Sequence, residues 1–150
     1  MKKYIRLSFF LITIFFSFSG NSQTDRFQDF KKMKLNYIIE NTSLTEDEKK
    51  VFLPIFESFE DRYHNEVWIK ERALRKGITQ AFDTINSNSA SNYIIQFHEF
   101  EMLGMNIKFE RNQKMLSTIK PKTVLNILYQ ERRFDREMFN RIRNRQNKEN

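Results

Sequence analysis

The 150-residue chain contains no cysteine, 3 glycines, 2 prolines and 1 tryptophan. Without cysteine there is no disulfide, no thiolate nucleophile, no iron–sulfur cluster and no cysteine zinc site. So few glycines leave nothing for a phosphate-cradling loop, and with so little proline they argue against a turn-rich β architecture. Negative charge is scarce at the two ends of the chain, and residues 1–22 hold none. Residues 111–150 hold 11 positive and 4 negative side chains, whereas residues 23–110 hold 12 and 15. The net charge of +7 therefore belongs to the C-terminal arm and to three cations at the start. The length fits one domain.

What is abundant is phenylalanine, at 16 residues. Burying one fully stabilises a fold by about 1.5–3 kcal/mol. A small chain without disulfides must rely on such a core.

Lys2, Lys3 and Arg6 precede an uncharged, mostly apolar run of 13 residues from Leu7 to Ser19, and Gly20-Asn21-Ser22-Gln23 follows. A basic start, a short apolar stretch and a small-residue exit describe a secretory signal peptide. Gly20 and Ser22 suit positions −3 and −1 of a cut before Gln23, and Ser17 and Ser19 suit a cut three residues earlier. The run is shorter than the ~20 apolar residues of a spanning helix. No cysteine follows it to carry a lipid anchor. The expectation is a signal peptide over residues 1–22, one helical domain over residues 23–150, and a periplasmic location. An uncleaved segment would instead make a membrane-tethered structural protein. Absence of cysteine suits export to an oxidising compartment.

Apolar spacing then predicts four helices and no strand. The first, about Asp25 to Glu40, carries Phe27, Phe30, Met33, Tyr37 and Ile38, with Lys34 as a polar intruder on the stripe. The second opens on Thr45-Glu46-Asp47-Glu48, a capping box with Thr45 as N-cap. It continues through Phe52, Ile55, Phe56, Phe59, Tyr63, Val67, Leu74 and Ile78, about thirty residues, with Pro54 expected to kink it. Asn86 to Asn92 reads as a loop. The third helix, about Ser91 to Ser117, carries two adjacent stripes. One holds Tyr93, Phe97, Phe100, Gly104 and Ile107, and the other Ile95, His98, Met102, Met105, Phe109 and Leu116. A face that wide implies more than one neighbour, and Gly104 suits a close helix crossing. Pro121 starts the fourth helix, with Val124, Ile127, Leu128, Phe134, Met138 and Ile142 on one face and Arg132, Arg133, Arg136, Arg141, Arg143 and Arg145 on the other. The fold expected is all-α, built of long antiparallel helical hairpins.

Leu44-Thr45-Glu46-Asp47-Glu48 followed by Phe52-x-Pro54-Ile55-Phe56 resembles the first LTxxQ-type motif of the Spy/CpxP superfamily of periplasmic helical proteins. The spacing is most similar to the small Bacteroidetes-type branch described as sensors of ECF-type sigma factors. Ile119-Lys120-Pro121-Lys122-Thr123 resembles a second, weaker copy, offset by 75 residues, which aligns Phe59 with Phe134. Glu48 and Thr123 stand where the motif has glutamine, and Lys120 replaces the threonine cap. The resemblance implies a hairpin-based fold, often a homodimer with a cradle-like surface. It implies an activity of one of two kinds: ATP-independent chaperoning of unfolding proteins, or else metal binding or restraint of a membrane-anchored sensor in envelope-stress signalling.

Chemistry is sparse. His64 and His98 are the only histidines. With Glu60 and Asp61, or Glu99 and Glu101, they are the candidates for a metal site, since Glu60 and His64 lie one turn apart. The plainer reading is a surface histidine in a charged helix, His64, and a packed or polar histidine on the third helix, His98. Met102, Met105 and Met115 could take copper(I), though core packing explains stripe methionines as well. No nucleophile elbow, HExxH or phosphate loop occurs. No catalytic, cofactor or metal residue is assigned and no enzyme activity is expected. The basic arm suits acidic segments of unfolded or membrane-anchored proteins, or peripheral contact with an anionic membrane surface, rather than nucleic acid.

Overall fold

The computed structural model describes residues 21–149, and the expected signal peptide lies outside them except for Asn21 and Ser22. The described residues are all helix and short connections. They run α1 (Asn21–Asn41), α2 (Glu46–Tyr63), a π-turn (His64–Trp68), α3 (Ile69–Ala81), a short 3₁₀ turn (Phe82–Thr84), α4 (Ser87–Leu116) and α5 (Pro121–Glu149). Helices α2 and α3 form one rod through the π-turn, so four long helices make the fold. Helix α1 packs along α5, and α2 packs along α4.

The capping box is formed as the sequence requires. Thr45 Oγ1 accepts from Glu48 N–H, and Thr45 N–H donates back to Glu48 Oε2 at 3.1 Å. Glu48 has a second task. Its Oε1 accepts from Thr123 Oγ1 at 3.1 Å. The two residues that depart from glutamine in the paired motifs therefore meet each other, and tie the start of α2 to the start of α5. Leu44 and Ile119, the leading apolar residues of the two copies, are both buried in one core. Ile38, Phe52, Ile55, Phe56, Met115, Val124 and Ile127 complete it.

Three expectations change. Helix α1 already includes Asn21 to Thr24, ahead of the expected start at Asp25. The expected loop at Asn86 to Asn92 is the first turns of α4. Asn86 is its N-cap, accepting from Ser89 N–H at 2.9 Å. Asparagine and serine favour helix starts as strongly as they favour turns. The single second helix expected over about thirty residues holds Pro54 within its α-helical part and departs from α geometry at His64–Trp68.

That π-turn has a cause. Ile55, Phe59, Tyr63 and Val67 recur every fourth residue, and on a helix of 3.6 residues per turn such a row drifts by about 40° per step. One wider turn brings Val67 back to the buried side. Opposite it lies Gly104, where a Cβ would stand 3.0 Å from Tyr63 Cε2 and 3.7 Å from Val67 Cγ1. The close crossing expected at Gly104 is thus present, and its partner is the π-turn.

The two helical glycines should respond in opposite ways. Gly77 has nothing within 4 Å of a built Cβ. Gly77→Ala should raise stability by about 0.5–1 kcal/mol through helix propensity. Gly104→Ala should show no such gain, and Gly104→Leu should cost about 1–3 kcal/mol by overpacking against Tyr63. Urea denaturation of the three variants checks this.

Candidate functional site

Each of the four rods sends one charged side chain into the same buried spot. Lys34 of α1 lies 2.9 Å from Glu60 of α2 and 2.9 Å from Glu131 of α5. Arg111 of α4 grips Glu131 with both terminal nitrogens, at 2.7 and 2.8 Å, and reaches Glu60 at 3.5 Å. All four side chains are nearly inaccessible to water. Two cations and two anions cancel, which is the condition under which buried charge is tolerated. Burial pushes the Glu131 carboxyl up, but Lys34 and Arg111 together outweigh it and hold the carboxyl at about 2. Burial likewise pushes the Lys34 ammonium down, and Glu131 and Glu60 outweigh it and hold it above its ordinary value.

Beside this quartet opens a cleft of about 750 Å³. One wall is a column of stacked groups. Phe27 lies on His64, with centroids 3.7 Å apart and planes 11° from parallel. His64 lies on Trp68 at 5.0 Å, and the Arg72 guanidinium covers Trp68 at 5.2 Å. The π-turn supplies both His64 and Trp68 to this column. Phe30, Phe59 and Tyr63 continue the wall, and Lys108 sits 4.9 Å from the centre of the Tyr63 ring. Burial lifts the Tyr63 hydroxyl above its usual range. Asp135 stands in the mouth, exposed by area but with enough protein around it that its carboxyl is held up. His64 Nε2 is buried without a hydrogen-bond partner, an unusual state for a polar atom.

The candidate ligand residues are placed apart. Glu60 belongs to the quartet, and Asp61 accepts from Lys31 at 2.6 Å, so neither carboxylate turns to His64. His98 lies on the outer face of α4, with Glu101 at 3.4 Å. No group of three or more histidines and carboxylates is placed to hold a metal among the described residues. The methionines divide: Met115 is in the core, whereas Met102 and Met105 are 59% and 64% exposed.

Those two belong to a larger feature. Ile95, His98, Met102, Met105, Phe109, Asn112 and Leu116 alternate three- and four-residue spacings along α4, and five of them are exposed large apolar residues. The second stripe thus finds no neighbour among the described residues. Helix α5 carries a similar outer row, Leu125, Tyr129, Arg132, Arg136, Phe139 and Arg143, in which exposed apolar and guanidinium side chains are interleaved. Of the other arginines expected on that face, Arg141 is exposed and Arg133 reaches Glu137 at 3.5 Å. One member of the quartet is legible in the sequence, as Lys34 interrupting an apolar stripe. The aromatic column is not, because Phe27 joins it from another helix.

Comparison with family models finds no match, and comparison with curated proteins and with solved structures finds none either. No described helix is long and apolar enough to cross a membrane.

The quartet makes a definite demand on stability. Removing one charge leaves the others uncompensated, so Glu131→Gln should cost about 3–5 kcal/mol. Replacing all four by Met and Leu should cost little, or stabilise. A carboxyl held at about 2 contributes on the order of 3 kcal/mol at neutral pH, fully present above the unfolded value near 4.5 and draining away as pH falls toward 2. Thermal unfolding of the wild type between pH 6 and pH 2 should show this loss, and the quadruple variant should lack most of it.

Proposed function

We propose that the chain is a non-enzymatic, periplasmic protein-binding module of the Spy/CpxP kind. It acts in envelope-stress sensing, as a sensor of an ECF-type sigma factor, or as an ATP-independent chaperone. The observation that carries this reading is the exposed apolar row of α4 together with the apolar–arginine row of α5. A monomer seldom leaves so much large apolar surface at regular helical spacing without a partner for it. The occupant is polypeptide that is apolar and acidic by turns. Methionine and aromatic side chains adapt to varied apolar sequences, and guanidinium groups draw in and pair with carboxylates.

Two further points support the reading. The paired LTxxQ-like motifs start two helices at one end of the fold, joined by Glu48 and Thr123. Their capping role calls for no catalysis. The three- and four-residue alternation on α4 also suits pairing with a second copy, since that period packs two helices along a common seam. A homodimer on this seam would cover part of the row and leave the α5 row for clients. The alternative reading, a metal-binding or metal-resistance protein using His64, His98 and carboxylates, has less behind it, because Glu60 and Asp61 already face cations.

The purified chain from Gln23 onward should suppress aggregation of a chemically denatured client without ATP, read by light scattering. Met102→Ser with Phe109→Ser should remove most of that effect while changing stability by no more than about 0.5 kcal/mol, as expected for exposed sites. Full suppression by the double variant, or none by the wild type at several-fold excess, would overturn the chaperone form of the proposal.

A further inference from the structure

The cleft beside the quartet does not take part in the exposed rows of α4 and α5, and its chemistry differs from theirs. Its walls are rings and its rim is cationic. Arg26, Arg72 and Lys108 stand on the rim, and none of them has a carboxylate partner among the described residues. Asp135 is the one rim carboxylate that opposes them, since Glu60 is neutralised within the quartet. Two of the cations are already positioned, Arg72 over Trp68 and Lys108 by the Tyr63 ring. A surface that holds cations on aromatic faces, with net positive charge and a volume of about 750 Å³, has the size and mixed character of a small-molecule site.

From this geometry we infer that the cleft binds an amphiphilic organic anion, a molecule with an apolar body and a single carboxylate head. The body lies along Phe30, Phe59 and the stacked column, where apolar area is removed from water. The head meets Arg72 and Lys108 at the rim, where a guanidinium offers a two-pronged grip on a carboxylate. A neutral apolar molecule would leave the rim cations without an anion, and a cationic amphiphile would be repelled by them. The quartet gives the site a fixed floor. Its charges are already paired with each other, so they need no ligand to satisfy them. His64 Nε2, buried and unpartnered in the wall, marks the column as a place where the chain by itself has left a polar group unmet.

The tryptophan count makes the test direct, because Trp68 is the only one in the chain and it stands in the wall of the cleft. Laurate, kept below its micellar concentration, is the probe. Its addition should shift Trp68 emission saturably, with calorimetry giving one site per chain. Dodecyltrimethylammonium should bind at least about tenfold more weakly, the difference expected from one charge-assisted hydrogen bond. Arg72→Gln with Lys108→Gln should weaken laurate by about tenfold or more while the helical circular dichroism is unchanged. Met102→Ser with Phe109→Ser, which alters the polypeptide-binding row instead, should leave laurate affinity as it was. Failure of that row to hold clients would thus say nothing against this site, and the reverse holds too. No saturable change in Trp68 would overturn the inference. So would equal binding of the cationic amphiphile, or equal loss in the outer-row variant. Binding to phosphatidylglycerol vesicles without binding of free laurate would overturn it as well, since that would place the chemistry at a membrane surface rather than in the cleft.

Discussion

The meeting of Lys34, Glu60, Arg111 and Glu131 is the constraint on which the other packing depends. Four helices each contribute one member, and each side chain is only 6–13% exposed. Apolar side chains tolerate a helix sliding by a fraction of a turn, because one methyl group takes the place of another. A buried ion does not, since leaving it unpaired costs several kcal/mol. The quartet therefore sets the axial position of all four rods at once. Tyr37 adds a lesser restraint of the same kind, donating to Glu137 at 2.7 Å and linking α1 to α5. With the rods fixed there, the core of Ile38, Phe52, Phe56, Met115 and Ile127 closes on one side, and the ring-lined cleft is left on the other.

The sequence carries the helices and their starts plainly, because capping and apolar spacing are local. Thr45 and Glu48 act within one turn of chain, and Phe52, Ile55 and Phe56 follow at core spacing. The all-α class follows from the same pattern. What lies beyond its reach is set between helices. Lys34 is visible only as an interruption of a stripe, and nothing local says that Glu60, Arg111 and Glu131 converge on it. Asn86 to Asn92 shows the limit of composition, since the same serines and asparagines serve a turn or a helix start according to what precedes them. The second stripe of α4 is legible as a surface that needs company. That no described residue covers it is not, because a stripe has the same spacing whether or not a neighbouring helix lies against it.

The π-turn connects fold and site. It restores the register of Val67 against Gly104, and in doing so it turns His64 and Trp68 into one stacked column with Phe27. Val67, which packs at Gly104, and His64 and Trp68, which line the cleft, thus lie on the same five-residue turn. The strict fourfold recurrence of Ile55, Phe59, Tyr63 and Val67 is the sequence trace of it.

Burial is distributed very unevenly along the rods. Between Val67 and Gly104 no residue is fully buried, although this stretch includes all of α3 and the first half of α4. The fully buried residues run from the end where Leu44 and Ile119 meet as far as the crossing of Val67 and Gly104. Opening the α3–α4 hairpin exposes only half-covered side chains such as Leu74, Ile78 and Phe97, so it requires a fraction of the free energy of global unfolding. The far end of the α3–α4 hairpin is thus the part of the fold held by the least buried surface, while the other end keeps its core.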